Sequence, residues 1–91
     1  MGRTAPKPWE WIAQARTKAG ISKSRMARLL DIQDRAYRRW EQAPGVRPEV
    51  IHLERFCTVT GSDLKRGIEI VYGVTIPGYL NRPIDVLAGV A

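Results

Sequence analysis

Apolar residues recur at helical spacing along most of this chain, in segments separated by glycine and proline. The first segment is a helix over 9–19, with Trp9, Ile12, Ala15 or Arg16, and Ala19 on one face. Gly20 ends it in a left-handed turn. Ser22 is a good N-cap for a second helix over 23–30, in which Met26, Ala27 and Leu30 point inward. Ala27 has to be small where a neighbouring helix crosses it. Asp31 then occupies a turn position that needs positive φ, at a cost of about 1–2 kcal/mol or less for a non-glycine residue. Ile32 plugs the gap between this helix and the next.

The third helix covers 33–42, with Tyr37 and Trp40 as its inward stripe and Ala36 close behind. Residues 43–47 form a loop. Pro48 suits the first position of a fourth helix running to residue 60, with Val50, Ile51, Leu53 and Phe56 on its apolar side. Gly61 closes that helix. Ser62 caps a fifth helix that begins at Asp63 and turns Leu64 and Ile68 inward. The expected class is all-α, a compact five-helix domain.

The segment 68–91 is harder to read. It holds twelve Ala, Val, Ile and Leu residues and two tyrosines but only three charges, Glu69, Arg82 and Asp85, so it must bury surface somewhere. Residues 68–72 can continue the fifth helix, 74–76 can form a strand, and 81–83 can open a short last helix; short apolar runs do not separate these options. The expected organisation is a flexible basic arm over 1–8, a helical domain over 9–67 and a C-terminal extension over 68–91. That extension is read as a dimerisation element, the competing reading being that it completes the core of one copy.

Composition narrows the class. With 44% apolar and 26% charged residues, the 91-residue chain reads as one ordinary globular domain. It has no apolar run long enough to span a membrane and no apolar signal core near its start. The lone Cys57 cannot form a disulfide within the chain, and Cys57 with the lone His52 makes no zinc site. A cytoplasmic location fits. No cofactor or metal is expected, and with no phosphate loop, no metal-ligand cluster and no nucleophile beside a base, the chain is not expected to be an enzyme.

Charge changes the picture more. Residues 16–47 carry nine basic and three acidic side chains, which accounts for the whole net charge of +6. On the third helix, Asp34, Arg35, Arg38 and Arg39 fall opposite Tyr37 and Trp40. A basic helix held by an apolar stripe, after a short helix and a tight bend, is the layout of a helix-turn-helix that reads double-stranded DNA. Arg35 and Arg38, then Arg39, are the candidates for base reading, since the arginine fork fits guanine O6 and N7. Asp34 can accept from a cytosine amino group, or can clamp Arg38 four residues on. Gln33 can cap the helix or bond a phosphate. Lys23, Ser24 and Arg25, which open the second helix, and Arg47, before the fourth, are the phosphate candidates.

The matching residues Arg16, Gly20-Ile21-Ser22-Lys23, Met26-Ala27, Leu30, Ile32, Tyr37, Trp40-Glu41 and Arg47-Pro48 resemble the Xre/Cro/CI class of helix-turn-helix regulators. The resemblance runs from Ile12 to Leu64 and implies a lambda-repressor-like fold. In that class an arginine of the first helix commonly pairs with the glutamate ending the third, and Arg16 and Glu41 hold those places. Lys23 stands where relatives often have a glutamine, and Asp31 where they often have glycine. A narrower similarity, through Gly-Ile-Ser-Lys-Ser-Arg-Met-Ala-Arg-Leu-Leu and Asp34-Arg35-Ala36-Tyr37-Arg38, is to small phage regulators associated with anti-CRISPR operons, with Arg25 and Arg35 at the DNA-contacting positions.

The function implied is a repressor, autoregulatory and of phage or mobile-element origin, acting as a homodimer on an inverted-repeat operator. Two other readings stay open. One is an antitoxin that also represses its own promoter and binds a protein partner through the C-terminal extension. The other is a DNA-bending excision or architectural factor.

Overall fold

The computed structural model describes residues 6–76. Five helices follow one another: α1 (Pro8–Lys18), α2 (Lys23–Leu29), α3 (Asp34–Trp40), α4 (Val50–Thr60) and α5 (Leu64–Tyr72). There is no strand among the described residues, so the all-α expectation holds at that level.

Local chemistry sets most of the helix ends. Pro8 is the first residue of α1, where its fixed φ suits a helix start and its missing N–H is not needed. The Lys7 N–H donates to Glu10 Oε1 at 3.1 Å. Helix formation thus reaches into the segment read as an arm over 1–8, and residues 1–5 lie outside the described residues. At the other end of α1, Gly20 takes φ 73° and the Ile21 N–H turns back to the Arg16 carbonyl. The Ser22 hydroxyl caps α2 by accepting from the Arg25 N–H at 3.1 Å. The bend after α2 has the same form as the one after α1, with Asp31 at φ 57° in place of glycine. Its Ile32 N–H reaches the Ala27 carbonyl at 3.0 Å, so two orphan helix carbonyls are used.

The core is built from Ile12, Met26, Ala27, Leu30, Tyr37, Trp40, Leu53, Phe56, Cys57 and Val71. Full burial of one such large side chain stabilises by about 1.5–3 kcal/mol. α2 packs on α3, α4 on α5, and α1 on both α4 and α5. Ile32 is half-buried against this core, as expected of the plug between α2 and α3.

Several expectations need correction. Ala19 is exposed, and Trp11 packs on the core beside Phe56, with ring centroids 6.0 Å apart. The reason lies across the interface. A Cβ on Gly67 of α5 would stand 2.9 Å from the Trp11 ring and 3.2 Å from Cys57 Sγ, so the missing side chain of Gly67 makes room for the indole. Ala36 is exposed, because α3 is gripped only through Tyr37 and Trp40. Val50 and Ile51 are 53% and 69% exposed, since the inward stripe of α4 starts at Leu53 and continues through Phe56 and Cys57. Pro48 precedes α4 by two residues instead of opening it. It is buried, and its carbonyl accepts from the Tyr72 hydroxyl of α5.

Asp63, not Ser62, caps α5 by accepting from the Arg66 N–H, while the Ser62 hydroxyl pairs with that of Thr60 at 2.7 Å. The domain boundary expected between residues 67 and 68 falls inside α5. Ile70 and Val71 are core residues of the same unit, as the competing reading of the extension had it for this part. Residues 74–76 form no strand; the Ile76 N–H instead donates to Glu69 Oε2. The short last helix and most of the expected dimerisation element, 77–91, lie outside the described residues.

Candidate nucleic-acid interface

The face in question is made by α2, the bend after it, α3 and the loop leading to α4. α3 is amphipathic in the simplest way. Tyr37 is fully buried and Trp40 is 6% exposed, their rings 5.4 Å apart. The rest of the helix, Asp34, Arg35, Ala36, Arg38 and Arg39, is exposed. Its length is 34–40, shorter at both ends than expected. Gln33 holds the N-cap position but makes no side-chain cap bond, and Glu41 is the C-cap.

Three contacts orient α3. Glu41 receives Arg16 from α1, with Nε to Oε2 at 2.6 Å and Nη2 to Oε1 at 3.2 Å. The Tyr37 hydroxyl donates to the same carboxylate. Arg16 Nη1 also reaches the Ile21 carbonyl at 2.8 Å, just before α2. One side chain thus ties together the end of α1, the entry to α2 and the end of α3. The Glu41 hydrogen bond is the first cause of the rise in the Arg16 pKa above its ordinary value. Burial, then the Glu41 hydrogen bond, holds the Tyr37 phenol well above the usual tyrosine range.

On the outward side, Asp34 and Arg38 form an i,i+4 ion pair, Arg38 Nε donating to Asp34 Oδ2. That pair is the first cause holding the Asp34 carboxyl below the usual range; the Ser24 hydroxyl of α2 is the second, and Lys23 contributes through its charge. The starts of α2 and α3 therefore meet at one place, around Lys23, Ser24, Asp34 and Arg38. Of the two roles open to Asp34, the clamp on Arg38 is the one seen.

Arg25, Arg35, Arg39 and Arg47 are exposed and Lys23 is half-buried; none of the five is in an ion pair among the described residues. Arg47 is held near α3 by the backbone. The Val46 N–H donates to the Arg39 carbonyl at 3.2 Å. Gly45 lies so close that a Cβ there would stand 2.6–2.9 Å from the carbonyls of Gln42, Arg39 and Trp40. Only glycine lets the loop fold back over the end of α3. The Pro44-Gly45 pair signals a turn in the sequence, but not this close approach.

Arg28 is a further exposed cation in the last turn of α2, and the charge count includes it although the site reading did not. No helix among the described residues is long and apolar enough to cross a membrane. No family model matches this chain, and no curated protein or solved structure matches it.

Proposed function

We propose that this chain is a sequence-specific regulator that binds double-stranded DNA, with a lambda-repressor-like domain of Xre/Cro/CI type. The observation that carries the reading is the state of α3. Its inner side is locked into the core by Tyr37 and Trp40, and its outer side offers Arg35, Arg38 and Arg39 to solvent. An isolated domain gains little from three arginines on a seven-residue helix, since like charges so close repel. A polyanion turns that cost into attraction.

In this reading α3 lies in the major groove. Arg35 and Arg38 meet guanine edges, Arg39 follows, and Gln33 lies at the margin. Lys23, Ser24, Arg25 and Arg47 bind the flanking phosphates and set the register. The Arg16–Glu41 pair is structural: it fixes the tilt of α3 relative to the rest of the domain. One short helix covers too little groove for a specific site, so two copies bind an inverted repeat. Repression of its own promoter in the cytoplasm, and a phage or mobile-element source, follow from the resemblance to small phage regulators.

Selection of bound duplexes from a random pool tests this. The expected product is a pseudo-palindrome whose half-sites lie about 10 base pairs apart, one helical turn. Absence of any enriched sequence overturns the DNA reading. An enriched but unsymmetrical site keeps DNA recognition and removes the homodimer.

A further inference from the structure

Asp34 is the odd residue on this face. A carboxylate beside Lys23, Arg35 and Arg38 weakens attraction for any polyanion, and an exposed i,i+4 ion pair adds little to stability. Both partners keep nearly half of their side-chain surface open, 46% for Asp34 and 47% for Arg38, so the pair is not a core element.

The bonding pattern is specific. Arg38 uses Nε on Asp34, and its two Nη groups have no partner among the described residues. Those two groups are the fork that fits guanine O6 and N7. The Ser24 hydroxyl of α2 lies near the same carboxylate and helps keep it charged. The acceptor sits in the first turn of a helix locked into the core by Tyr37 and Trp40, and one turn on it holds the arginine. A free arginine loses much rotamer freedom when it docks, and can swing to the nearest phosphate instead.

Building on the DNA reading of this face, we infer that Asp34 is a specificity-determining residue that acts through Arg38. Its carboxylate sets the guanidinium plane for a base edge and keeps it from the backbone. Affinity for DNA in general is given up, and discrimination between sequences is gained. Removing Asp34 should therefore tighten binding to random DNA while weakening the preference for the selected site.

The test measures dissociation constants of the wild type, Asp34→Ala, Asp34→Asn and Arg38→Ala, and of Asp34→Ala combined with Arg38→Ala. Each is measured on the selected duplex and on a random-sequence duplex across a salt series, with the thermal midpoint of each protein. For Asp34→Ala, binding to random duplex should tighten several-fold and its salt slope should steepen by about one, from one extra phosphate contact. The ratio between selected and random duplex should fall about tenfold, the loss of one well-oriented bidentate contact. Asp34→Asn keeps an acceptor for Nε and should hold most of the ratio. On the Arg38→Ala background, removal of Asp34 should leave the ratio unchanged.

If the wild type discriminates but Asp34→Ala leaves its ratio intact, this inference falls and the DNA reading stands. It falls equally if both affinities drop together with the thermal midpoint, because Asp34 then only supports the helix. A wild type that prefers no sequence removes the reading and the inference together.

Discussion

Arg16 and Glu41, 25 residues apart in the chain, meet in a two-bond ion pair that keeps only 15% and 5% of their side-chain surfaces exposed. The Tyr37 hydroxyl shares the same carboxylate. Breaking such a pair leaves an unpaired charge and an unpaired hydroxyl in a nearly dry place. Glu41→Ala should cost about 3 kcal/mol, the lower edge of the range for buried pairs, since Arg16 keeps some contact with water. Replacing both partners, as in Arg16→Met with Glu41→Leu, should recover part of that loss. Urea unfolding of Glu41→Ala and of the double variant, each against the wild type, measures both effects. A Glu41→Ala protein as stable as the wild type would show that the pair does not hold α1 to α3.

Arg35 and Lys23 separate base reading from phosphate binding. Arg35 is exposed near the start of α3, while Lys23 is half-buried at the start of α2. Arg35→Ala should cost about 1–3 kcal/mol on the selected site and relax its preference at one base pair. Lys23→Ala should weaken all duplexes alike and lower the salt slope by about one. Binding titrations on matched and mismatched duplexes decide between them. Equal effects of both variants on specific and random DNA would refute this division of labour.

Asp31 holds φ 57° in the bend between α2 and α3, a conformation that strains a residue with a Cβ. Asp31→Gly should therefore stabilise the domain by up to about 1 kcal/mol, the relief of strain outweighing the added freedom of the unfolded chain. A rise in the thermal midpoint with unchanged DNA affinity is the expected result. A fall in affinity would mean that the Asp31 side chain has a role of its own at the interface.

Two buried acids of high pKa set the alkaline limit. Burial, with a smaller contribution from Asp63, pushes the Cys57 thiol up to about 11 from an ordinary 9.0, and the Tyr37 phenol is raised as well. Both groups hold their protons more tightly folded than unfolded. Their contribution is complete below about pH 9 and declines as the pH rises toward 11 and beyond, because the unfolded chain then releases protons that the folded chain keeps. Stability measured from pH 7 to 11 should be flat at first and then fall. At pH 8 the folded protein should react slowly with thiol reagents at Cys57, and the urea-unfolded protein quickly. Rapid labelling of the folded protein would place Cys57 outside the core.

Much of the local plan is legible in the residues. Gly20, Ser22, Asp31 and Gly61 mark helix ends because caps and left-handed turns depend on a few neighbouring atoms. Met26, Ala27, Leu30, Tyr37, Trp40, Leu53 and Phe56 reach the core as their spacing predicts. The concentration of positive charge on residues 16–47 likewise needs no coordinates. Less local features escape this reading. Ser62 and Asp63 are both good caps, and which of them serves depends on where α5 starts. Val50 and Ile51 look like core residues, but no element of the described residues covers that turn of α4.

By itself, then, the sequence determined that short helices would form, where most of them would stop, and that the basic side of the third would stand opposite Tyr37 and Trp40. Periodicity and capping act within one or two turns, so they are written in consecutive residues. The tertiary structure alone decided that Trp11 would fill the space over Gly67 and that the Tyr72 hydroxyl of α5 would reach the Pro48 carbonyl ahead of α4. Those choices depend on distances between elements far apart in the chain. A helical period allows several neighbouring faces, and only the shape of the opposing helix selects one.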